Sequence, residues 1–170
     1  MTLVAEKDRA TIRDVLARGL ASRVELLLFT RSVEEHSPPD LSSADRAEAL
    51  SGAESQELLT DLVALSDGQL SLTVHDVVAD PEIATRYNVS NLPTVVLRRA
   101  IGGDDSEVAP SKAERGNVRF SGWPGGYEFS VLIADAVDLS GARTDLSPAT
   151  REALRALRSP VNLQVFVTPT

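Results

Sequence analysis

The chain has 170 residues and not one cysteine. That absence excludes disulfides, dithiol catalysis and thiolate metal sites at the level of atoms. Histidine is nearly as scarce. His36 and His75 are the only two, and neither has a Ser, an Asp or a second His at catalytic or metal-binding spacing. No metal site, no cofactor and no catalytic residue is therefore expected. Long apolar runs are missing too: nothing approaches the roughly 18–20 residues of a membrane span. The N-terminus, Met-Thr-Leu-Val-Ala-Glu-Lys-Asp-Arg, lacks the basic-then-apolar order of a secretion signal, which points to a cytoplasmic protein. Positive charge is also short. With 17 basic against 25 acidic residues the net charge is −8, which disfavours nucleic acid and anionic membrane as partners. Only Lys7 and Lys112 among the basic residues are not arginine, a bias that fits a GC-rich genome better than any guanidinium function.

What is present is a well-patterned α/β chain, with 42% apolar and 25% charged residues. Over residues 5–21, Ile12, Val15, Leu16 and Leu20 fall at helical spacing, with Gly19 weakening the end. Arg23–Thr30 is short and nearly all apolar, as a strand buried on both faces would be. The segment around Pro38-Pro39 has turn composition, and Ala44–Ser51 has room for a helical turn or two. Gly52-Ala-Glu-Ser-Gln-Glu57 is read as the opening of a stronger helix carrying Leu58, Leu59, Leu62, Val63 and Leu65, with Glu54 and Glu57 near the positive end of its dipole. Leu70–Val78 reads as a strand with Leu70, Leu72 and Val74 on one side.

The stretch Asp80–Leu97 organises the remainder. Asp80 and Pro81 are a helix cap and a first helical position, and Ile83, Ala84 and Tyr87 share a face. After the turn at Asn88–Asn91, Leu92-Pro93 leads into the β-branched strand Thr94-Val-Val-Leu97. A proline tight against a strand sits at its first position or in a cis turn, and the flanking pattern favours the cis turn. Arg98–Arg115 reads as a long exposed loop, Asn117–Ser121 as the returning strand, and Tyr127–Leu139 as a helix with Phe129, Leu132, Ile133 and Val137 inward. From the first strand on, the order is βαβαββα. Both crossovers are expected to be parallel and right-handed, and the last strand pair antiparallel. Ser147-Pro148 then starts a further helix, and Val161–Val167 repeats the Val-x-Leu-x-x-Phe pattern of the first strand.

The apolar-Pro-Thr segment before a strand is similar to the cis-proline loop of the thioredoxin superfamily. Three stretches narrow the resemblance: Tyr87-Asn-Val through Leu92-Pro93-Thr94, Val118-Arg-Phe-Ser-Gly122 through Pro124-Gly-Gly-Tyr-Glu-Phe129 to Ser140, and Leu146-Ser147 through Pro160-Val-Asn-Leu-Gln-Val-Phe-Val-Thr-Pro-Thr170. Together they resemble the N-terminal half of the two-unit protein disulfide oxidoreductases, also called glutaredoxin-like proteins. The resemblance implies a thioredoxin-like unit over residues 1–141, with an added N-terminal helix. It implies that residues 142–170 are the linker helix and first strand of a second unit, whose Cys-Pro-x-Cys motif would follow Thr170.

Carried onto this chain, the resemblance puts the first unit's own dithiol at Gly52 and Ser55, where no sulfur exists. A serine hydroxyl is far too weakly acidic to replace a thiolate and cannot form a mixed disulfide. The main chain at Leu92 and Pro93 keeps the capacity to pair with an extended peptide or protein substrate, unless Leu92 merely packs inward. The expected role is a redox-inactive unit supporting a dithiol-bearing one. The alternatives are a stand-alone peptide- or protein-binding module, and the N-terminal domain type of the flavoprotein component of alkyl-hydroperoxide reductase. A homodimer through the 161–167 strand is a further expected partner, because an apolar strand without neighbours invites edge pairing. Trp123 is expected to cover a core edge. Glu34-Glu35 and Asp104-Asp105 read as solvated loop charges.

The missing sulfur has a direct consequence. In a dithiothreitol-driven insulin precipitation assay the purified chain should give a rate equal to the protein-free control.

Overall fold

The fold was analysed in a computed structural model that describes residues 3–32, 42–100, 118–141 and 144–166. The Pro38-Pro39 segment, His36, the Glu34-Glu35 pair and Asp104-Asp105 lie outside the described residues. Nine elements follow in order: α1 (Glu6–Gly19), β1 (Val24–Thr30), α2 (Ser43–Ala64), β2 (Leu70–Asp76), α3 (Pro81–Tyr87), β3 (Thr94–Arg99), β4 (Val118–Ser121), α4 (Tyr127–Gly141) and α5 (Pro148–Arg155). The expected βαβαββα order with a preceding helix is present.

The sheet order is β2-β1-β3-β4, so β1 is central and buried on both faces. Val24, Leu26 and Leu28 face one way, into a core built with Leu16 of α1, Leu58, Leu59 and Leu62 of α2, and Leu132 and Ala136 of α4. Leu27 and Phe29 face the other way, toward Ile83 and Tyr87 of α3. This two-sided burial is why β1 reads as a continuous apolar run rather than an alternating one. Its single acid, Glu25, is paired in register with Arg98 of β3, whose guanidinium binds the carboxylate and also donates to the Tyr87 hydroxyl at 3.1 Å.

The connection from β2 to β3 differs from expectation. β1 and β2 are parallel, but β3 runs antiparallel to β1, with Thr94 opposite Phe29. A parallel return must travel the length of a seven-residue strand, about 23 Å. α3 has only seven residues, about 10 Å of helix. Asn88, in the left-handed region at φ 52°, then reverses the chain. β3 therefore starts at the end of the sheet where β1 and β2 finish. β4 pairs antiparallel to β3, as expected.

α2 is one continuous helix of 22 residues, so the reading in which Gly52 opens it is corrected. The start lies at Ser42, whose hydroxyl accepts the Asp45 N–H at 3.1 Å and donates to the Asp45 carboxylate at 2.7 Å. This is a capping-box arrangement. The segment after it, rich in Ala, Arg, Glu and Leu, has high helix propensity throughout.

Residues 144–166 are exposed along their whole length. α5 buries none of its residues, leaving Leu154 and Leu157 uncovered. The strand expected over 161–167 is not formed in residues 161–166, and Val167 lies outside the described residues. A strand is held by its neighbour's main-chain groups, and among the described residues none lies beside this segment. Leu163 and Phe166 are 85% and 89% exposed, which leaves an apolar segment without a partner among the described residues.

Candidate functional site

Three sheet features converge where β1 ends. Thr30 closes β1 opposite Asp76 of β2, and Phe29 pairs with Thr94, the residue after Pro93. The Leu92–Pro93 peptide bond is cis. Pro93 is buried, and its carbonyl accepts the Gly122 N–H at 2.8 Å. The Thr94 hydroxyl donates to the Asn91 carbonyl, also at 2.8 Å, and so bridges the turn. The half-buried Leu92 side chain packs on the Phe29, Ile83 and Tyr87 cluster. No described residue hydrogen-bonds either main-chain group of Leu92. The two readings of this residue thus divide by atom: its side chain points inward while its N–H and C=O are unengaged.

Gly52 and Ser55 come to the same end of the sheet on the opposite face, that of α2. A Cβ on Gly52 would fall 1.8 Å from the Thr30 hydroxyl oxygen, so only glycine admits this contact. Ser55 is fully buried, and its hydroxyl donates back to the Ser51 carbonyl at 2.7 Å. They lie deep in α2, ten and thirteen residues from the Ser42 cap, or roughly 15 and 20 Å of axis. The unpaired N–H groups and the positive dipole end that would activate a nucleophile belong to the first turn, not to these residues.

The first turns of α2 extend past Thr30 and form one wall of a cavity of about 460 Å³. Arg46, Leu50, Ala53 and Gln56 line it from the helix, at spacings of four, three and three residues, and Thr30 and Arg31 line it from the strand end. Arg31 binds the Asp45 carboxylate at 3.0 Å, while its Nε stands 3.7 Å from Glu48, too far for a hydrogen bond. The Ser42 hydroxyl, helped by the Arg31 charge and opposed by slight burial, holds Asp45 below the usual carboxylate range. Two buried polar atoms beside this cavity, the Thr30 hydroxyl oxygen and Arg31 Nε, have no hydrogen-bond partner among the described residues. Sequence reasoning missed this group. A signal existed in Ser42-x-x-Asp45, a capping box that places Arg46, Leu50 and Ala53 on one helical face.

Asp76 closes the same end of the sheet. Burial pushes its carboxyl upward, but hydrogen bonds from Ser32 and the N–H groups of Val78 and Ala79 outweigh it and hold Asp76 below its ordinary value. His75 stacks on Phe29 with ring centroids 5.1 Å apart. Burial lowers its pKa, with Asp80 opposing and Arg98 adding to the effect. Trp123 is 44% exposed, its ring folded over Gly125; it covers a turn rather than a core edge. Among the described residues no group of three His, Asp or Glu is placed to hold a metal, and no helix is long and apolar enough to cross a membrane.

Neither a protein-family model nor a curated protein matches the chain. Solved structures do. The chain is similar to the N-terminal domain (NTD_N/C) of the alkylhydroperoxide reductase AhpF from Enterococcus faecalis, at 21% identity and a TM-score of 0.64. That match covers 91% of this chain and 61% of the other. It is similar to a protein disulfide oxidoreductase from Aeropyrum pernix K1 at 22% identity and a TM-score of 0.62, covering 90% and 55%. The chain thus spans somewhat more than half the length of these structures. At this identity the likeness establishes the fold, which is thioredoxin-like.

The Gly52–Thr30 contact is open to direct measurement. Alanine in place of a helical glycine ordinarily gains up to about 1 kcal/mol. Here the clash outweighs that gain, and Gly52→Ala should lose about 1–3 kcal/mol in urea unfolding. Thr30→Ala in the same chain should recover part of the loss. A neutral or stabilising Gly52→Ala would contradict the packing.

Proposed function

We propose that this chain is a redox-inactive thioredoxin-like unit that docks an extended peptide or protein substrate at Leu92-Pro93 and supports a second, dithiol-bearing thioredoxin-like unit. One observation carries this reading. At the end of the sheet where β1, β3 and α2 meet, neither main-chain group of Leu92 is hydrogen-bonded by a described residue, while Gly52 and Ser55, on the opposite face under α2, are a buried glycine and serine. Binding is retained there without a group able to exchange disulfides. A cytoplasmic setting belongs to the same reading, and the redox theme rests on what the similar structures are called.

The exposed apolar segment over 154–166 favours a second contact, with either the supporting unit or another copy of this chain. The stand-alone binding module and the N-terminal domain type of an alkyl-hydroperoxide reductase flavoprotein component remain the alternatives. Of these, the stand-alone module is the one that uses the Leu92 edge.

Peptide docking is read out by titrating a neutral, capped hexapeptide of strand-forming sequence and following amide NMR shifts. The largest shifts are expected at Asn91, Leu92 and Thr94. An otherwise identical peptide N-methylated at its central residue should bind about fivefold more weakly, the worth of one hydrogen bond. Shifts confined to other surfaces would count against the proposal. For the apolar segment, light scattering of the full chain should show mass rising with concentration, and deletion of residues 159–170 should abolish the rise. An unchanged monomer in both would remove self-association as a role for it.

A further inference from the structure

We infer that two copies of this chain exchange their C-terminal segments, each laying α5 and residues 161–166 along the exposed face of α4 on the other. The inference rests on the reading that residues 154–166 make a further contact, and it names the partner and the surface.

The surface follows from the periodicity of α4. Tyr127, Val131, Ala134 and Asp138 fall at spacings of four, three and four residues and so share one face. The core takes the opposite face through Leu132, Ile133 and Ala136. Tyr127 is 82% exposed, Val131 is 50% exposed, and Trp123 stands open just before the helix. The chain has one Trp and two Tyr, and of these three only Tyr87 is buried. Trp and Tyr on an open surface are the residues that anchor protein interfaces.

Charge selects what covers it. Residues 142–170 hold Arg143, Arg151, Arg155 and Arg158 against Asp145 and Glu152, a net +2, which leaves −10 for residues 1–141 out of the total of −8. The apolar stripe of α4 is flanked by Glu128, Asp135 and Asp138. Leu154, and Leu157 just past the end of α5, are flanked instead by Arg151, Arg155 and Arg158. Among the described residues only Arg155 of these six charged groups has an ion pair, to Glu152 at 3.5 Å. Burial, with Asp138 adding to it, holds the Asp135 carboxyl above its ordinary value, and an incoming guanidinium relieves that repulsion. An antiparallel crossing sets Arg151 and Arg155 against Asp138 and Asp135, and carries residues 161–166 to Tyr127 and Trp123. Within one chain the two faces do not meet, since α5 buries none of its residues and Tyr127 stays open. A reciprocal exchange covers both faces in both copies and closes at two.

The test is sedimentation equilibrium of the full chain and three variants, each checked for an intact fold by circular dichroism. The parent chain should form dimers and no larger species. Tyr127→Ala should weaken the dimer at least about tenfold, the scale of an interface aromatic. Asp138→Arg, and separately Arg151→Glu combined with Arg155→Glu, should each weaken it about threefold or more, the scale of one or two surface ion pairs. An equimolar mixture of those two variants should restore the dimer, because each segment then meets a face of opposite charge. A parent dimer unchanged by Tyr127→Ala, or a mixture no tighter than its components, would overturn the α4 surface and leave self-association standing. A parent that stays monomeric would overturn the exchange and self-association together, with peptide docking at Leu92-Pro93 untouched. If in such a monomer Tyr127→Ala shifts the Leu154 and Leu157 amides, the segment lies on its own α4 instead.

Discussion

The two-sided burial of β1 is the constraint on which the rest of the molecule depends. A strand carrying Val24, Leu26 and Leu28 on one face and Leu27 and Phe29 on the other cannot be left at a sheet edge or with one face open. Each such side chain left uncovered forfeits about 1.5–3 kcal/mol of burial. Strands must therefore flank β1, and helices must lie on both faces. β2 and β3 supply the first; α1, α2 and α4, with α3 opposite, supply the second. The Glu25–Arg98 pair then makes the β1–β3 register specific at the one place where the strand carries a charge.

The same strand fixes where a site can be. Its C-terminal end meets the cis Leu92–Pro93 bond through Phe29 and Thr94, and meets α2 through Thr30 and Gly52. The Leu92–Pro93 loop lies at this end of the sheet, but α2 does not begin there. It begins about ten residues earlier at Ser42, which places its N-terminal N–H groups there, and the Ser42 hydroxyl and the Arg31 charge act on Asp45. The extension that displaces them also builds the wall bearing Arg46, Leu50 and Ala53. This end of the sheet thus carries a lined cavity rather than a helix N-terminus.

Much of this was legible in the residues, for identifiable reasons. The apolar run of β1, the cap at Asp80-Pro81 and the Pro-Thr step before β3 are local patterns with local causes, and each element lies where its pattern put it. The errors occurred where a distant partner decides the outcome. Gly52 resembles a helix opener, yet its neighbour Thr30, on another element, is what requires a glycine there. The direction of β3 depends on the length of α3 compared with that of the sheet, a comparison no local window contains. Val161-Asn-Leu-Gln-Val-Phe has a strand's alternation and forms none, because alternation describes a face and cannot supply a neighbour.

The sequence by itself determined the class of the fold, the order of its elements and the exclusion of thiol chemistry, since composition and periodicity act residue by residue and an absent atom stays absent in any fold. Only the tertiary structure decided that α2 runs unbroken through Gly52 and Ser55, that Leu92 splits into an inward side chain and a main chain no described residue bonds, and that Thr30, Arg31 and Arg46 line one cavity. Those facts depend on which groups approach across the chain, and long-range approach is set by covering both faces of β1 rather than by any neighbouring residue.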